Sequence, residues 1–215
     1  MQKTGRRRSR AGGYEAGRVK FDGEIMEIVG VGLDLSLTGT GFCLKSGNVL
    51  NVETIKTKPK DFPNKIERVK HIVTEVTKRI PSDVSLVCVE NYFVPANRAQ
   101  IGAAMGLIEL GWSVRLALYQ LKIPFYVVVP QHLKKFGTGK GNCPKSIVIR
   151  EVFKKWGFDA KDDNQADACV LANIAYEIAQ WNENLPAYQL ETIEKIVLDA
   201  ESYHVPETWP VTENP

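Results

Sequence analysis

The sequence predicts an α/β protein with a mixed five-stranded sheet and helices on both of its faces. Two observations carry this prediction: three strand-like segments come first, between residues 27 and 57, and helices then alternate with short apolar segments of strand length. Apolar residues make up 44% of the 215-residue chain, enough for a sizeable core. No window approaches the roughly 18 consecutive apolar residues of a membrane span, so we expect no membrane contact.

The first predicted strand, within EIVGVGLDLS, carries one ionisable residue in an otherwise apolar stretch. Because side chains alternate along a strand, Gly30, Gly32 and Asp34 share one face. A buried carboxylate without a partner is costly, so Asp34 is hydrogen-bonded, paired with a base or bound to a cation. A structural role is therefore one interpretation of Asp34. The two glycines favour another, because they leave space beside the carboxylate for a metal ion and a substrate.

Between this strand unit and residue 130 the sequence predicts two helices and two buried strands. An amphipathic pattern from Asn64 to Ile80, with Ile66 among its apolar positions, indicates the first helix, and a second is expected over residues 96–121. The apolar runs DVSLVCVE and IPFYVVVP predict strands buried on both faces, as in a parallel arrangement. Glu90 ends the first of these strands, at the edge where open α/β sheets bind ligands.

After residue 130 the chain is basic and contains several glycines before it becomes helical again. Gly137, Gly139 and Gly141 predict a flexible loop. Three more helices are predicted, over about Pro144–Trp156, Gln165–Gln180 and Tyr188–Ala200.

A third carboxylate, Asp167, belongs to the helix that begins in DDNQADA. It leads the apolar stripe of that helix, and Asp163 and Asn164 lie one turn earlier, where either can share the same face. Three apolar elements thus present Asp34, Glu90 and Asp167 to one layer. Oxygen ligands of this kind suit Mg²⁺ or Mn²⁺, and two such ions about 3.5 to 4 Å apart can activate water for phosphodiester hydrolysis.

Basic residues are concentrated in two blocks, although the formal net charge is only +3. Seven bases face one acid in the first 20 residues, and eight face two acids in residues 131–161. The blocks favour a polyanionic partner; the alternatives are a solvated surface for either block and an organellar transit peptide for the first. The first block lacks the apolar segment of a secretory signal, so we expect a flexible nucleic-acid-binding arm and a cytoplasmic protein.

Two short motifs are candidates for DNA contacts. FGTGKGNCPK lacks the G-x-x-x-x-G-K spacing of a phosphate-binding P-loop, and we interpret its Lys140 and Lys145 as contacts to a DNA backbone. Tyr92 and Phe93 follow Glu90 directly. These aromatic residues are either part of the core or a platform on which an unpaired base stacks.

Four stretches, in this order and spacing, resemble the RuvC family of Holliday-junction resolvases: GLDLSLTGTGF, VCVENYF, KKFGTGKGNCPK and DDNQADACVLA. The resemblance covers residues 27–181 and implies the RNase H-like fold. It also implies a homodimeric, Mg²⁺-dependent endonuclease, with Mn²⁺ as a substitute, that nicks opposed strands of a four-way junction. The expected products carry 5′-phosphate and 3′-hydroxyl ends.

The resemblance also assigns roles to individual residues. Asp34, Glu90 and Asp167 match the family's metal-binding acids. A further ligand usually stands three residues before the last acid, where this chain has Asn164, and we predict that Asp163 takes that role. DNA contacts are implied for one aromatic residue and four lysines: Phe93, Lys134, Lys135, Lys140 and Lys145.

Three regions follow from the resemblance. Residues 1–24 form the basic arm, 25–181 the nuclease domain, and 182–215 an acidic extension with a possible helix. The helix from about residue 96, with small residues over Gly102–Gly106, matches the family's dimerisation helix. The arm and the extension lie outside the family core, as in divergent viral or phage-borne relatives.

Two other function classes fit parts of the pattern. A catalytically silent module that binds branched DNA would share the fold but would not need three carboxylates. Actin-like ATPases and sugar kinases also place Gly and Thr after an early Asp, but they duplicate the fold and need a second glycine-rich phosphate loop. The 215 residues hold one copy, which argues against that class.

Overall fold

The computed structural model describes residues 18–21, 24–92 and 98–199. Residues 1–17 of the predicted basic arm, the predicted DNA contact Phe93 and the end of the acidic extension lie outside the described residues. Among the described helices, none combines the length and the apolar character that crossing a bilayer requires.

Seven strands of the described residues form two sheets. A small hairpin pairs β1 with β2, and the main sheet has the order β5-β4-β3-β6-β7. Strands β3, β4 and β5 are antiparallel neighbours, whereas β6 and β7 continue the sheet in parallel with β3. The strand bounds are Arg18–Phe21, Glu24–Glu27, Val29–Asp34, Gly39–Ser46, Val49–Lys56, Leu86–Glu90 and Phe125–Val128. The mixed five-stranded sheet is therefore confirmed, while the hairpin extends into a segment for which the sequence predicts only a flexible arm.

In the part of the chain that the structure describes, six α-helices accompany the sheet. Most begin and end within a few residues of the predicted positions, and Pro144 is the N-cap of α4 instead of its first residue. The bounds of α1 to α6 are Lys65–Arg79, Arg98–Gln120, Pro130–Thr138, Lys145–Trp156, Asp163–Gln180 and Ala187–Asp199.

The sheet separates two apolar cores. On one face, Val31, Leu33 and Val87 pack with the buried residues of α1 and α2. On the other face, Leu86 and Cys88 pack with α5, which lies across β3 and β4, and with residues of α3, α4 and α6. The alternation of β3 and β6 thus follows the predicted strand period, and the layers are helix, sheet, helix.

The glycines of β3 have a different role from the one predicted. A Cβ atom on Gly30 would lie 2.6 Å from the backbone nitrogen of Tyr176, and one on Gly32 would overlap the carbonyl oxygen of Ala168. The space beside Gly30 and Gly32 is therefore filled by the backbone of α5, so these two glycines are not what makes room for a metal ion at Asp34. The glycines instead allow α5 to pack closely on the sheet. This close packing brings Asp167 of α5 near Asp34.

The basic region after residue 129 begins with a helix that the sequence did not predict, and the predicted glycine-rich loop starts later than expected. Gly137 is buried within α3, where its Cα faces Val170 of α5, and Gly139 ends the helix in the left-handed conformation at φ 81°. Three nearby glycines favour a loop in sequence, but one of them serves helix packing and another serves the C-cap. Only the short connection from residue 139 to residue 144 stays non-helical between α3 and α4.

Helix α1 buries most of the side chains that its apolar pattern indicates, with one exception and one addition. Ile66 is 77% exposed, whereas Arg68 is buried in line with Ile72 and Val76. The i, i+4 spacing of this row was visible in the sequence, but a basic residue does not count as apolar in a periodicity search.

Candidate metal centre and nucleic-acid interface

Three carboxylates meet at the carboxyl ends of two neighbouring parallel strands. Asp34 ends β3, Glu90 ends β6, and Asp167 lies in the second turn of α5. The register pairs Leu33 with Val89, so the two strand carboxylates stand side by side. One oxygen of each of the three carboxylates lies within 4.8 Å of the others. The structure thus brings together the three acids that the sequence singles out.

Burial makes this cluster costly without a compensating cation. Desolvation raises the pKa of Asp34 well above its usual range, and the adjacent charge of Glu90 raises it further. Burial is also the main cause that raises the pKa of Glu90 and brings that of Asp167 to about 7. Three oxygen donors that repel one another are a donor set for hard divalent cations, so the residues present fit Mg²⁺ or Mn²⁺.

The two candidates for a fourth ligand have different partners. Asp163 begins α5 and forms an ion pair with Lys145, the first residue of α4. Asn164 donates a 2.5 Å hydrogen bond from Nδ2 to the carbonyl oxygen of Gly39, at the start of β4. Asp163 lies outside the group of three but acts electrostatically on all of its members. The role of Asp163 as a ligand stays a prediction. Asn164 instead connects α5 to the start of β4 by its hydrogen bond.

The loop between β3 and β4, residues 35–38, is held by a buried arginine that was not predicted from the sequence. Arg68 of α1 donates from Nη2 to the carbonyl oxygen of Leu37 at 2.6 Å and from Nε to the hydroxyl of Thr57 at 2.9 Å. The hydroxyl of Thr40 in β4 also donates to the carbonyl oxygen of Ser36 at 2.7 Å and accepts from the Ser36 amide at 3.1 Å. The chain immediately after Asp34 is therefore fixed from α1 and from β4.

A second buried arginine contacts the chain immediately after Glu90. Arg115 of α2 donates to Oδ1 of Asn91 at 3.0 Å, and its guanidinium lies 5.1 Å from the ring centroid of Tyr92. The same guanidinium lies 5.6 Å from the ring of Trp112, which is exposed on α2. Tyr92 thus packs on α2 within the monomer, which favours the core interpretation for this aromatic residue.

The four predicted DNA-contacting lysines fall into distinct environments. Lys134 and Lys145 lower the pKa values of Glu90 and Asp167 by their charge, so both ammonium groups act on the cluster. Lys140 is exposed in the connection between α3 and α4. Lys135 instead pairs with Glu191 of α6 at 2.8 Å. Two of the lysines therefore act on the acidic cluster, the third is exposed, and the fourth is engaged by another helix.

Comparison with protein families gives one match that covers most of the chain. The model of the family described as crossover junction endodeoxyribonuclease RuvC matches residues 28–175. This span begins just before β3 and ends within α5, so it includes Asp34, Glu90 and Asp167. No curated protein matches this chain.

Solved structures of similar fold come from Thermus thermophilus. One is RuvC in complex with a Holliday junction substrate, which is 23% identical over 72% of this chain and 96% of that chain, with a TM-score of 0.55. Another structure of RuvC from the same organism is 24% identical over 70% and 95% of the two chains, with a TM-score of 0.52. Likeness at this identity indicates a shared fold, and the predicted RNase H-like architecture is confirmed.

Proposed function

This chain belongs to the RuvC family of crossover junction endodeoxyribonucleases, and we propose that it resolves Holliday junctions. The carboxylates of Asp34, Glu90 and Asp167 are proposed as the site that cuts the phosphodiester bonds of the DNA. The observation that carries the proposal is the convergence of these carboxylates, from two strands and a helix, to within 4.8 Å of one another. A protein that only bound branched DNA would gain nothing from burying three mutually repelling acids.

Mg²⁺ is the proposed cofactor, with Mn²⁺ as a substitute. When bound, these ions polarise the scissile phosphate and lower the pKa of the attacking water. Asp34 and Glu90 are held rigidly because each ends a central strand, and Asp167 approaches them on a helix that the β3 glycines let pack closely. Asp163 is proposed as a further ligand, which would exchange its bond to Lys145 for one to the metal.

The basic residues around the cluster are proposed to hold the DNA backbone. Lys134 and Lys145 act electrostatically on the acids, and Lys140 is exposed on the connection between α3 and α4. Each lysine that contacts a phosphate releases counterions, so binding should weaken steeply with salt. Phe93, three residues after Glu90, is proposed to stack on a base at the junction centre.

A homodimer is also proposed, because it would place two such centres on one four-way junction and allow paired nicking. Helix α2 exposes an apolar row at coiled-coil spacing, consisting of Met105, Trp112, Leu116 and Tyr119. A groove of about 470 Å³ between α1 and α2 continues this surface at Leu116. Small residues on α2 were also predicted for the dimer contact. Those whose side-chain surroundings are described pack within the chain instead, because Ala104 is buried and Gly106 packs against Leu37 of the same chain.

A panel of synthetic DNAs tests the proposed substrate. The full-length protein is incubated with Mg²⁺ and a labelled four-way junction, a fork, a flap or a linear duplex of the same sequence. We expect symmetric nicks near the junction centre, products that a ligase reseals because they carry 5′-phosphate and 3′-hydroxyl ends, and an uncut duplex. Cleavage of the duplex at the same rate would leave a general nuclease as the function.

A further inference from the structure

Helix α6 lies beyond the residues that the family model matches, yet it is packed into the domain. Ile193 and Ile196 are buried in the same core as Leu133 and Phe136 of α3. The side chain of Gln189 is also buried and donates from Nε2 to the carbonyl oxygen of Phe136 at 3.1 Å. The acidic extension therefore begins with a helix that covers α3, one of the helices that carry the basic residues.

The same helix places a carboxylate on one of those basic residues. Glu191 lies 2.8 Å from Nζ of Lys135 and 2.8 Å from Nζ of Lys195. The two ammonium groups lower the pKa of Glu191 to about 2, so the carboxylate is ionised at every physiological pH. The side chain of Lys135 is only 24% exposed, whereas that of Glu191 is half exposed.

The neighbouring lysine of α3 has a different environment. The charge of Lys134 lowers the pKa values of Glu90 and Asp167, whereas the ammonium group of Lys135 pairs with Glu191. Consecutive positions on a helix point about 100° apart, so one residue of the Lys134–Lys135 pair faces the acidic cluster and the other faces α6. From the sequence, both lysines were predicted to contact DNA. The different directions in which they point become apparent only in the structure.

We propose that Glu191 withholds Lys135 from the DNA backbone, so that helix α6 sets the affinity of the protein for its nucleic acid substrate. A phosphate that approaches Lys135 must displace the carboxylate that already neutralises it. Removing the charge of Glu191 should therefore add one phosphate contact, and removing Lys135 should cost little while Glu191 is present. The inference rests on the proposed function only in that a DNA backbone is the ligand.

The test compares matched variants by fluorescence anisotropy on a labelled four-way junction, with EDTA present so that nothing is cut. Glu191→Gln should tighten binding about two- to fivefold, the scale expected for breaking a half-exposed ion pair. Its affinity should also fall about 3.5-fold more than that of the parent between about 50 and 200 mM salt, as one added phosphate contact requires. Glu194→Gln removes the same charge from the exposed side of α6 and should leave affinity within about 1.5-fold.

The double variant Glu191→Gln, Lys135→Gln separates this mechanism from a change in net charge or packing. It should return to the parent affinity and salt dependence, and Lys135→Gln alone should bind as the parent does. The proposal is overturned if Glu194→Gln tightens binding equally, if Lys135→Gln weakens binding in the parent, or if Glu191→Gln has no effect. Any of these results can occur while the parent still resolves junctions, so the proposed function is judged separately by cleavage.

Discussion

At the scale of single residues, Asp163 and Asn164 differ in what they bind. Asp163→Ala should lower turnover at saturating Mg²⁺, because a metal ligand is lost, with little change in junction affinity. Asn164→Ala should leave turnover near the parent rate but reduce stability by about 1 kcal/mol, because its bond to Gly39 is lost. Single-turnover cleavage and thermal unfolding measure the two effects. Equal loss of turnover in both variants would move the fourth ligand toward Asn164.

We expect the stability of the metal-free protein to depend on pH, because the pKa of Asp167 is raised in the folded state. Its pKa is raised by burial to about 7, so folding favours the protonated form, and the associated stability is present at acid pH and is lost as the pH rises through about 7. Asp167→Asn should therefore raise the melting temperature in EDTA at pH 8, by an amount equivalent to a few kcal/mol, and much less at pH 5.

The exposed carboxyl of Asp83 supplies the matched control. Asp83→Asn should change the melting temperature little at either pH, because an exposed carboxyl contributes little to the free energy of unfolding. An equal shift at pH 5 and pH 8 for Asp167→Asn would show that ionisation of the buried carboxyl is not the cause.

At the scale of elements, the contact between β3 and α5 decides where Asp167 lies. Gly32→Ala would force its methyl group into the backbone of α5 at Ala168, so we expect a loss of several kcal/mol or failure to fold. Gly157→Ala is the comparison, because that glycine has open space and only a positive φ of 68°, and should cost about 1 kcal/mol. Chemical denaturation of both variants measures the difference. Similar small losses would mean that α5 can move away from the sheet without harm.

Helix α2 connects the proposed dimer surface with the strand that carries Glu90. Leu116→Glu should convert the protein to a monomer, because a charge in the centre of the apolar row prevents close packing of two copies. Phe153→Glu changes an equally exposed apolar residue on α4 and should leave the dimer intact. Sedimentation velocity distinguishes the two, and a parent protein that sediments as a monomer at micromolar concentration would contradict the dimer.

At the scale of the whole molecule, the sequence predicted what depends on periodicity and missed what depends on close approach. Strand alternation and helical stripes were sufficient for the mixed sheet and for the three converging acids. The role of Gly32 was not accessible, because a glycine that clears a ligand site and one that admits a helix backbone are identical in sequence. Arg68 and Arg115 were missed for a related reason, since a basic residue in a buried row becomes visible only when its carbonyl or amide partner is known.

The proposed function depends on the carboxylates of Asp34, Glu90 and Asp167 forming the centre that cuts junction DNA. Asp34→Asn is compared with the parent on one synthetic four-way junction, recording cleavage with Mg²⁺ and binding without it. We expect cleavage to fall at least a thousandfold, on the order of 4 kcal/mol of transition-state stabilisation, while the dissociation constant changes less than about threefold. Cleavage at the parent rate would show that these carboxylates do not form the cleavage centre.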